Sequence, residues 1–382
     1  MSKLFDWLVD GAPGAREPAD VAERIGCDLV NEGVPVDRLV VWITTLHPTV
    51  VGRQFTWRRG ERTVVTELTV AANRSPAFQA SPVAVMIAQR REVRVRIDDT
   101  PSPYPVIDDL RADGFTDYLC APLSFTNGEV HGIAFATRAA GGFSEAHLAE
   151  LRQVIRPLAR VAEIFALRRV ATNLLSTYVG HDTGARILAG RITRGEIETL
   201  RAVIWFSDLR GFTEMSSRCT PAQIIEVLNE LFDCQVPAIE RRGGEVLKFI
   251  GDGLLAIFPF EAGAPISRPA ANALAAATDA FAALDLRNAR ASSPIRFGLA
   301  LHVGEVAYGN IGGASRLDFT AIGPAVNLAA RLEGLTGKLD RRVVVSADLA
   351  THLEVETEDL GAFELKGVAG TTHVFGLTTL NR

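Results

Sequence analysis

Two aspartates stand where predicted strands end, and a pair of carboxylates can bind a metal ion. Asp208 lies near the end of the apolar run RAVIWFSDL, and Asp252 lies between the two apolar runs of GEVLKFIGDGLLAIF. In a layered domain such strand ends can lie side by side, and two adjacent carboxylates repel unless a cation stands between them. Magnesium prefers oxygen ligands of this kind. Taken alone, Gly251-Asp252-Gly253 is also typical of a hairpin turn, because glycine tolerates positive φ angles.

Four further polar residues have spacings or settings that suit ligand binding. Lys248 interrupts the first apolar run of the hairpin, and Lys366 lies in FELKG. Asn327 and Arg331 are four residues apart, so they share one face of a predicted helix. Each residue also has a simple structural interpretation, because lysine suits the open face of a half-buried strand and Asn and Arg suit a solvated helix face.

Residues 200–382 supply the elements that must position these groups. Strand and helix patterns alternate, which predicts an α/β layered sheet. Thr220, Pro221 and Gln223 provide an N-cap, a first-turn proline and a capping-box partner for a helix that ends near Gly243-Gly244. The remaining predicted elements are the 244–258 hairpin, an Ala-rich helix at 272–284, a strand at 297–309, a helix at 324–335, a strand at 341–347 and strands near 362–377.

Residues 1–145 predict a separate α+β module. A helix is expected over 19–31, and the Asn127-Gly128 pair predicts a hairpin between the last two strands. Strand-like runs occur at DRLVVWITT, RTVVTELTV, REVRVRI, DYLCAPLSF and VHGIAFAT. Their order, and the segment YLCAPLSF to AHLAEL above all, resembles a GAF domain, a sensor fold with a central antiparallel sheet. GAF domains bind small molecules, cyclic nucleotides or chromophores, or only mediate dimerisation, and the resemblance implies an unknown small-molecule effector here. Cys120 lies within a strand run, so we expect a core residue and not a chromophore anchor.

Residues 146–199 are predicted to be a signalling helix and a connector. The helix starts at Ser144 and Glu145, carries Pro157, and is interrupted in its apolar stripe by Arg168 and Arg169. The stripe recurs every three or four residues at Leu148, Leu151, Ile155, Leu158, Ala162 and Phe165. Such a stripe suits either the last helix of the sensor domain or a parallel coiled coil with a second chain, and both interpretations stay open. The Gly-punctuated stretch 177–199 reads as the connector.

Composition excludes several classes of function. The formal net charge is -5, so bulk charge does not favour nucleic-acid binding. Apolar stretches are too short or too often charged to predict a membrane span, and the first residues make a poor secretory signal. The four cysteines are scattered without a CxxC spacing. A cytoplasmic protein without a cysteine metal site is therefore expected.

Three motifs resemble class III nucleotidyl cyclases, in the order that this family has them. They are SDLRGFT at 207–213, KFIGDGLLAIF at 248–258, and DFTAIGPAVNLAARLEG at 318–334. The resemblance implies a ferredoxin-like α/β catalytic domain at 200–382. It also implies two Mg²⁺ or Mn²⁺ ions per active site, held by Asp208, Asp252 and the backbone carbonyl of Leu209. In the same family pattern Asn327 orients the ribose, Arg331 stabilises charge on the transferring phosphoryl group, and Lys366 binds the β- and γ-phosphates.

The family resemblance favours ATP over GTP as the substrate. The position of Lys248 contacts the purine in this family, and a lysine there can donate to adenine N1. Thr320 occupies the companion position and can accept from the adenine amino group, as in the Thr-type bacterial adenylate cyclases. Asp318, two residues earlier, is expected to miss that role.

One position departs from the family pattern. The family often has an arginine for the triphosphate where this chain has Gly298. Arg296 lies on the same strand face by the two-residue period and is a candidate replacement. His302 is expected to be structural, and Arg210 is expected to form a local ion pair.

The family places its active site between two catalytic domains, with the metal aspartates from one chain and the other residues from its partner. Because this chain carries both sets, the resemblance implies a homodimer that converts ATP to cyclic AMP and pyrophosphate under control of the N-terminal domain. Two alternatives stay open: a catalytically silent, cyclase-like nucleotide-binding dimer, and a guanylate cyclase.

Overall fold

Apolar patterns in both halves of the chain form two separate sheets in the computed structural model. The structure describes residues 2–44, 50–69, 75–261, 263–291 and 293–380. It divides into the units Met1–Asn173 and Leu174–Arg382. No helix among the described residues is long and apolar enough to cross a membrane.

The N-terminal unit is built on a six-stranded antiparallel sheet in the order β3-β2-β1-β6-β5-β4. The predicted Asn127-Gly128 hairpin is confirmed, since β5 and β6 pair directly on either side of it. The strands are Arg38–Thr44 (β1), Val50–Arg58 (β2), Val64–Thr69 (β3), Val93–Arg96 (β4), Asp117–Ser124 (β5) and Val130–Thr137 (β6). The helices are Lys3–Val9 (α1), Pro18–Asn31 (α2), Pro76–Gln79 (α3), Pro82–Gln89 (α4), Pro105–Ala112 (α5) and Glu145–Val179 (α6).

Helices cover both faces of this sheet. Along β5 the side chains alternate, so that Leu119 packs with α2 and α6 on one face while Tyr118 and Cys120 pack with α4 and α5 on the other. Cys120 is fully buried, as expected for a core residue, and burial raises the pKa of its thiol to about 12. Helix α6 begins after Ser144, whose hydroxyl accepts a hydrogen bond from the His147 amide, and it continues through Pro157.

The C-terminal unit is built on an eight-stranded sheet. Its main path is β13-β14-β12-β10-β7-β9-β8, and β11 pairs with β10. The strands are Ile197–Leu209 (β7), Glu245–Ile250 (β8), Gly253–Phe260 (β9), Phe297–Gly312 (β10), Leu317–Ile322 (β11), Val343–Ser346 (β12), Thr357–Glu364 (β13) and Thr371–Leu377 (β14). The helices are His181–Leu188 (α7), Phe212–Arg218 (α8), Pro221–Arg241 (α9), Ser267–Arg290 (α10), Pro324–Thr336 (α11) and Ala347–Ala350 (α12).

Helices α9 and α10 pack on one face of the central strands, and α11 packs on the other. The predicted capping box is present at the start of α9, where Thr220 and Gln223 bond each other reciprocally. Alanines along α10 are fully buried, which lets this helix approach the sheet closely. The mixed α/β character predicted from the alternating pattern is confirmed.

Several elements were not predicted from the sequence. Strand β2 carries Gly52 and two arginines, which obscure its apolar alternation. Helix α7 lies inside the stretch that we read as a connector and contains Gly184. Its Thr183 donates through both its amide and its hydroxyl to Glu245 of β8, so contacts outside the helix support it. Short helices α1, α3, α4 and α5 were also missed.

Candidate active site

The tight turn between β8 and β9 brings Asp252 beside Asp208 of β7. Ile250 pairs with Gly253 across the hairpin, so Gly251 and Asp252 form a two-residue turn in which Gly251 has φ +64°. Gly253 in turn pairs with Asp208 across the β7–β9 ladder. A Cβ atom at Gly253 would lie 2.7 Å from the Ser207 carbonyl oxygen and 3.0 Å from Asp208 Oδ1. The missing side chain therefore leaves the space that the aspartate pair occupies.

The Asp252 carboxyl group affects the charge of Asp208. Burial, followed by the negative charge and a hydrogen bond of Asp252, raises the pKa of Asp208 from 3.8 to about 6. The Leu209 amide, which donates to the Asp208 carboxylate, acts in the opposite direction. Hard oxygens held together against their own repulsion are the donor set that a divalent cation favours, so the residues present fit such an ion.

The pair leaves coordination positions for other ligands. Among the described residues no cluster of three or more His, Cys, Asp or Glu side chains is placed to hold a metal ion. Magnesium is typically bound by one or two carboxylates together with substrate phosphates and water. The aspartate pair matches that mode better than a closed protein cage.

Glu333 of α11 is a third acidic group in this region, and the sequence interpretation missed it. Its carboxylate accepts a hydrogen bond of 3.1 Å from Thr336, and burial together with the charge of Asp208 raises its pKa to about 7. The sequence signal is an acid flanked by the buried helix positions Leu332 and Leu335. Glu333 adds negative potential beside the aspartate pair.

Glu333 also explains the departure at Gly298. A Cβ atom at Gly298 would lie 2.5 Å from Glu333 Oε1 and closer still to Thr336 Oγ1, so no arginine fits there without rearrangement. Arg296 is exposed and immediately precedes β10, and its carbonyl accepts a 2.8 Å hydrogen bond from the Arg210 amide. No contact of its side chain with the aspartate pair occurs in the described part of the chain.

Lys248 of β8 and Thr320 of β11 are the two residues expected to contact the purine base. Lys248 Nζ donates to Asp318 Oδ2 at 3.1 Å, so Asp318 is the ion partner of the lysine within one chain. Thr320 is buried in β11, and its hydroxyl has no hydrogen-bond partner in the structure. Such an orphaned buried hydroxyl is uncommon and points to a partner from outside the chain.

The remaining predicted residues lie on the surface. Asn327 and Arg331 are exposed on α11, and neither side chain forms a hydrogen bond or ion pair among the residues that the structure describes. Lys366 is exposed in the turn after β13, not within a strand. Within the described chain, no hydrogen bond or ion pair joins these three residues, Lys248 or Thr320 to the aspartate pair.

Two expected structural roles are present. His302 is buried, its Nδ1 lies 2.8 Å from Ser346 Oγ, and burial lowers its pKa. Arg210 Nη1 lies 3.8 Å from Asp340 Oδ1, and the Arg210 guanidinium also donates to the Arg341 carbonyl. Both residues therefore hold local structure.

In the comparisons with known proteins, the matching family model lies within the C-terminal unit. Residues 197–379 match the family model described as the adenylate and guanylate cyclase catalytic domain. An adenylate cyclase of Anabaena cylindrica is 34% identical over 161 residues, covering 42% of this chain and 32% of that protein. Adenylate cyclase 2 of Rhizobium meliloti is 31% identical over 246 residues, covering 62% of this chain and 64% of that protein. The chain thus spans about a third of the first relative and less than two thirds of the second.

A solved structure of a bacterial light-regulated adenylyl cyclase has a similar fold. It covers 72% of this chain and 89% of its own, with a TM-score of 0.51 and 19% identity. This likeness concerns the fold alone.

The charge repulsion at the aspartate pair predicts an unusual pH dependence of stability. Because the folded pKa of Asp208 is raised from 3.8 to about 6, its protonated form favours folding, and that contribution is lost as the pH rises through this window. At pH 8 in chelator, Asp208→Asn should raise the melting temperature by about 2–4 °C, after allowance for solvent screening. The gain should vanish near pH 4, as calorimetry can measure.

The matched control is Asp233→Asn, which alters an exposed aspartate of α9 with no ion-pair partner among the described residues. It should leave the melting temperature unchanged. Mn²⁺ should stabilise the unsubstituted protein more than Asp208→Asn, because the ion binds the folded pair. Equal melting temperatures for Asp208→Asn and the unsubstituted protein at pH 8 would show that the pair is not under electrostatic strain.

Proposed function

We propose that this chain, whose residues 197–379 form an adenylate/guanylate cyclase catalytic domain, is a cytoplasmic adenylate cyclase that converts ATP to 3′,5′-cyclic AMP and pyrophosphate. The carrying observation is the paired placement of Asp208 and Asp252 at the β7–β9 ladder. The four unpaired cysteines agree with a reducing compartment. The strand order β10-β7-β9-β8 supports a ferredoxin-like arrangement of the catalytic core.

Two Mg²⁺ or Mn²⁺ ions would be held by Asp208, Asp252 and the Leu209 carbonyl. When bound, such ions lower the pKa of a ribose 3′-hydroxyl and neutralise charge on the phosphates. The chain's own residues then orient the substrate: Asn327 binds the ribose, and Arg331 stabilises negative charge on the reacting α-phosphoryl group. Lys366 binds the β- and γ-phosphates, with Arg296 as a further candidate for the triphosphate.

The side chains of Lys248 and Thr320 support ATP over GTP as the substrate. Lys248 can donate to adenine N1, whereas guanine presents an N–H donor at that position. The Thr320 hydroxyl is buried without a partner, and the adenine amino group can supply the missing hydrogen bond. Guanine presents O6 instead, to which the hydroxyl would have to donate, so the discrimination rests mainly on Lys248, whose ammonium group would face the N–H donor of guanine N1 without an acceptor.

We infer a homodimer with shared active sites. Asn327 and Arg331 are exposed and unpartnered in the described chain, as expected if they serve an aspartate pair on a second copy. Helix α6 also carries an exposed apolar stripe at alternating spacings of three and four, which is typical of a coiled-coil seam. The stripe consists of the exposed residues Ile164, Leu167, Leu174 and Tyr178 and the half-buried Ala171.

We also propose that residues 1–145 are a GAF-like sensor domain, joined through a signalling helix and connector at 146–199 to the catalytic domain at 200–382. The face of the N-terminal sheet beneath α4 and α5 holds a cavity of about 330 Å³. Arg38, Trp42 and Tyr118 line it, and Arg38 Nε is buried without a partner. We therefore assign this cavity, named here the effector cavity, to the unknown small-molecule effector.

The direct test is product formation by the purified full chain. With Mg²⁺ or Mn²⁺ we expect cyclic AMP from ATP at a higher kcat/KM than cyclic GMP from GTP. Asp252→Ala should lower the rate by more than about a hundredfold, because even the outer partners of metal ligands are worth about 10–100-fold. Metal-dependent ATP binding without product, in the full chain and in the C-terminal unit Leu174–Arg382, would instead support a silent binding module.

The same assay tests whether Lys248 and Thr320 contact the purine base, that is, whether they form the base site. Lys248→Glu should lower kcat/KM for ATP by about 10–100-fold and shift preference toward GTP. Lys338→Glu, the same change at an exposed lysine without a contact in the described chain, should have no effect. Thr320→Val should weaken the preference for ATP without lowering thermal stability, because it removes an unsatisfied buried hydroxyl. Unaltered preference in Lys248→Glu and Thr320→Val would contradict the base site.

Mixing two inactive variants tests the shared site. Asp208→Ala and Asn327→Ala should each be inactive alone, because each homodimer lacks one half of both sites. Equal mixing should restore about one quarter of the activity, since half of the dimers are hybrids with one intact site each. Proven hybrids without activity would exclude the shared-site arrangement.

Removing the sensor tests regulation. A chain that begins at residue 141 should differ from the full chain in basal cyclase rate, because the sensor is proposed to shift how the catalytic domains pair. Rates are compared at equal dimer concentration. Identical rates under every condition and ligand tried would remove the support for regulation by this domain.

A further inference from the structure

A second cavity lies on the opposite face of the N-terminal sheet, between α2, α6 and strands β1 to β3. Its volume is about 310 Å³. Val41 and Ile43 of β1 face it, whereas Val40 and Trp42, one position away, face the effector cavity. Its inner wall is apolar and buried, and consists of Val21, Ala22, Val41, Ile43, Phe55, Leu158, Val161 and Ala162.

Four arginines surround this apolar wall. Arg53 is paired with Glu67 at 2.9 Å. The guanidinium groups of Arg16, Arg168 and Arg169 make no ion pair or hydrogen bond among the described residues, although all three line the cavity. Among the described residues that line the cavity, Glu17 is the only one with a carboxylate. The rim therefore carries an excess of positive charge that the described chain does not neutralise.

The position of Arg168 and Arg169 on α6 is consistent with a ligand. The apolar stripe of α6 faces the cavity, which it lines at helical spacing with Leu158, Val161, Ala162 and Phe165. Continuing the same period reaches Arg168 and Arg169, so the stripe ends in two cations at the mouth. An apolar chamber with a cationic mouth complements a molecule that has an apolar tail and an anionic end.

We propose that this cavity binds an amphipathic carboxylate with a single unbranched hydrocarbon tail, of the medium-chain fatty acid class. The tail lies against the buried aliphatic wall, where each methylene leaves water. The carboxylate lies between Arg168 and Arg169, whose planar donor groups suit carboxylate oxygens. The volume, near the lower end of the usual range for ligand pockets, favours one tail over a two-tailed lipid. This site is distinct from the effector cavity and from the nucleotide site.

Calorimetric titration of the full chain without nucleotide tests the proposal. We expect decanoate to bind, and each methylene removed from decanoate down to hexanoate should weaken binding by about fourfold. Decanol, which has the tail without the charge, should bind at least about fivefold more weakly than decanoate, and rising salt should reduce this difference.

Two kinds of variant separate charge from packing. The double variant Arg168→Gln/Arg169→Gln should weaken decanoate binding by about fivefold and leave decanol binding unchanged. Arg156→Gln, on the same helix but outside the cavity lining, is the matched control and should have no effect. Ala162→Leu, which fills the chamber, should weaken both ligands if the variant keeps its melting temperature.

Three results would overturn the proposal. The first is no heat of binding with any acid of the series, and the second is equal affinity for decanoate and decanol. The third combines two observations: the unsubstituted chain binds no decanoate, and Arg168→Gln/Arg169→Gln no longer forms a dimer. That result would assign the rim to a contact with a second copy. Because calorimetry needs no catalysis, an inactive cyclase would not affect the outcome.

Discussion

The mutual repulsion of Asp208 and Asp252 is the constraint on which the candidate site of the C-terminal unit depends. The β7–β9 ladder and the two-residue turn bring the carboxyl groups together, and the missing side chain of Gly253 leaves room for the Asp208 carboxylate. Burial makes the repulsion stronger, as the raised pKa of Asp208 shows. A fold tolerates such an arrangement when the surrounding packing outweighs it, and here the central parts of β7, β9 and β10 are buried between α10 and α11.

That packing has its own sequence basis. Buried alanines at positions 270, 273, 276, 277 and 280 give α10 a smooth face, so the helix lies close to the central strands. The capping box of α9 and the apolar strand β7 are similarly local signals. For this reason the hairpin and the capped helix could be predicted from the sequence, since each depends on residues close together in the chain. The pairing of Asp208 with Asp252, which are far apart in the chain, was expected from the strand ends and the family resemblance.

The features that sequence reasoning missed depend on distant residues. Helix α7 is short and contains a glycine, so its own sequence predicts a connector. Glu333 seemed an ordinary helix residue, and only the fold places it near Asp208 and against Gly298. The Lys248–Asp318 ion pair joins two strands that are not neighbours in the chain. Which contacts a polar side chain makes is therefore the least predictable part of the site.

The unexpected helix α7 also determines the placement of strand β8. The Glu245 carboxylate at the start of β8 accepts hydrogen bonds from Thr183 and, at 2.7 Å, from the Tyr308 hydroxyl of β10. Burial raises the pKa of Glu245, so these donors offset a real desolvation cost and are expensive to remove. Strand β8 then runs through Lys248 and ends beside the turn that carries Asp252. Because strands are stiff in a paired sheet, the anchoring of Glu245 by α7 constrains the positions of both Lys248 and Asp252, so one strand connects α7 to two residues of the candidate site.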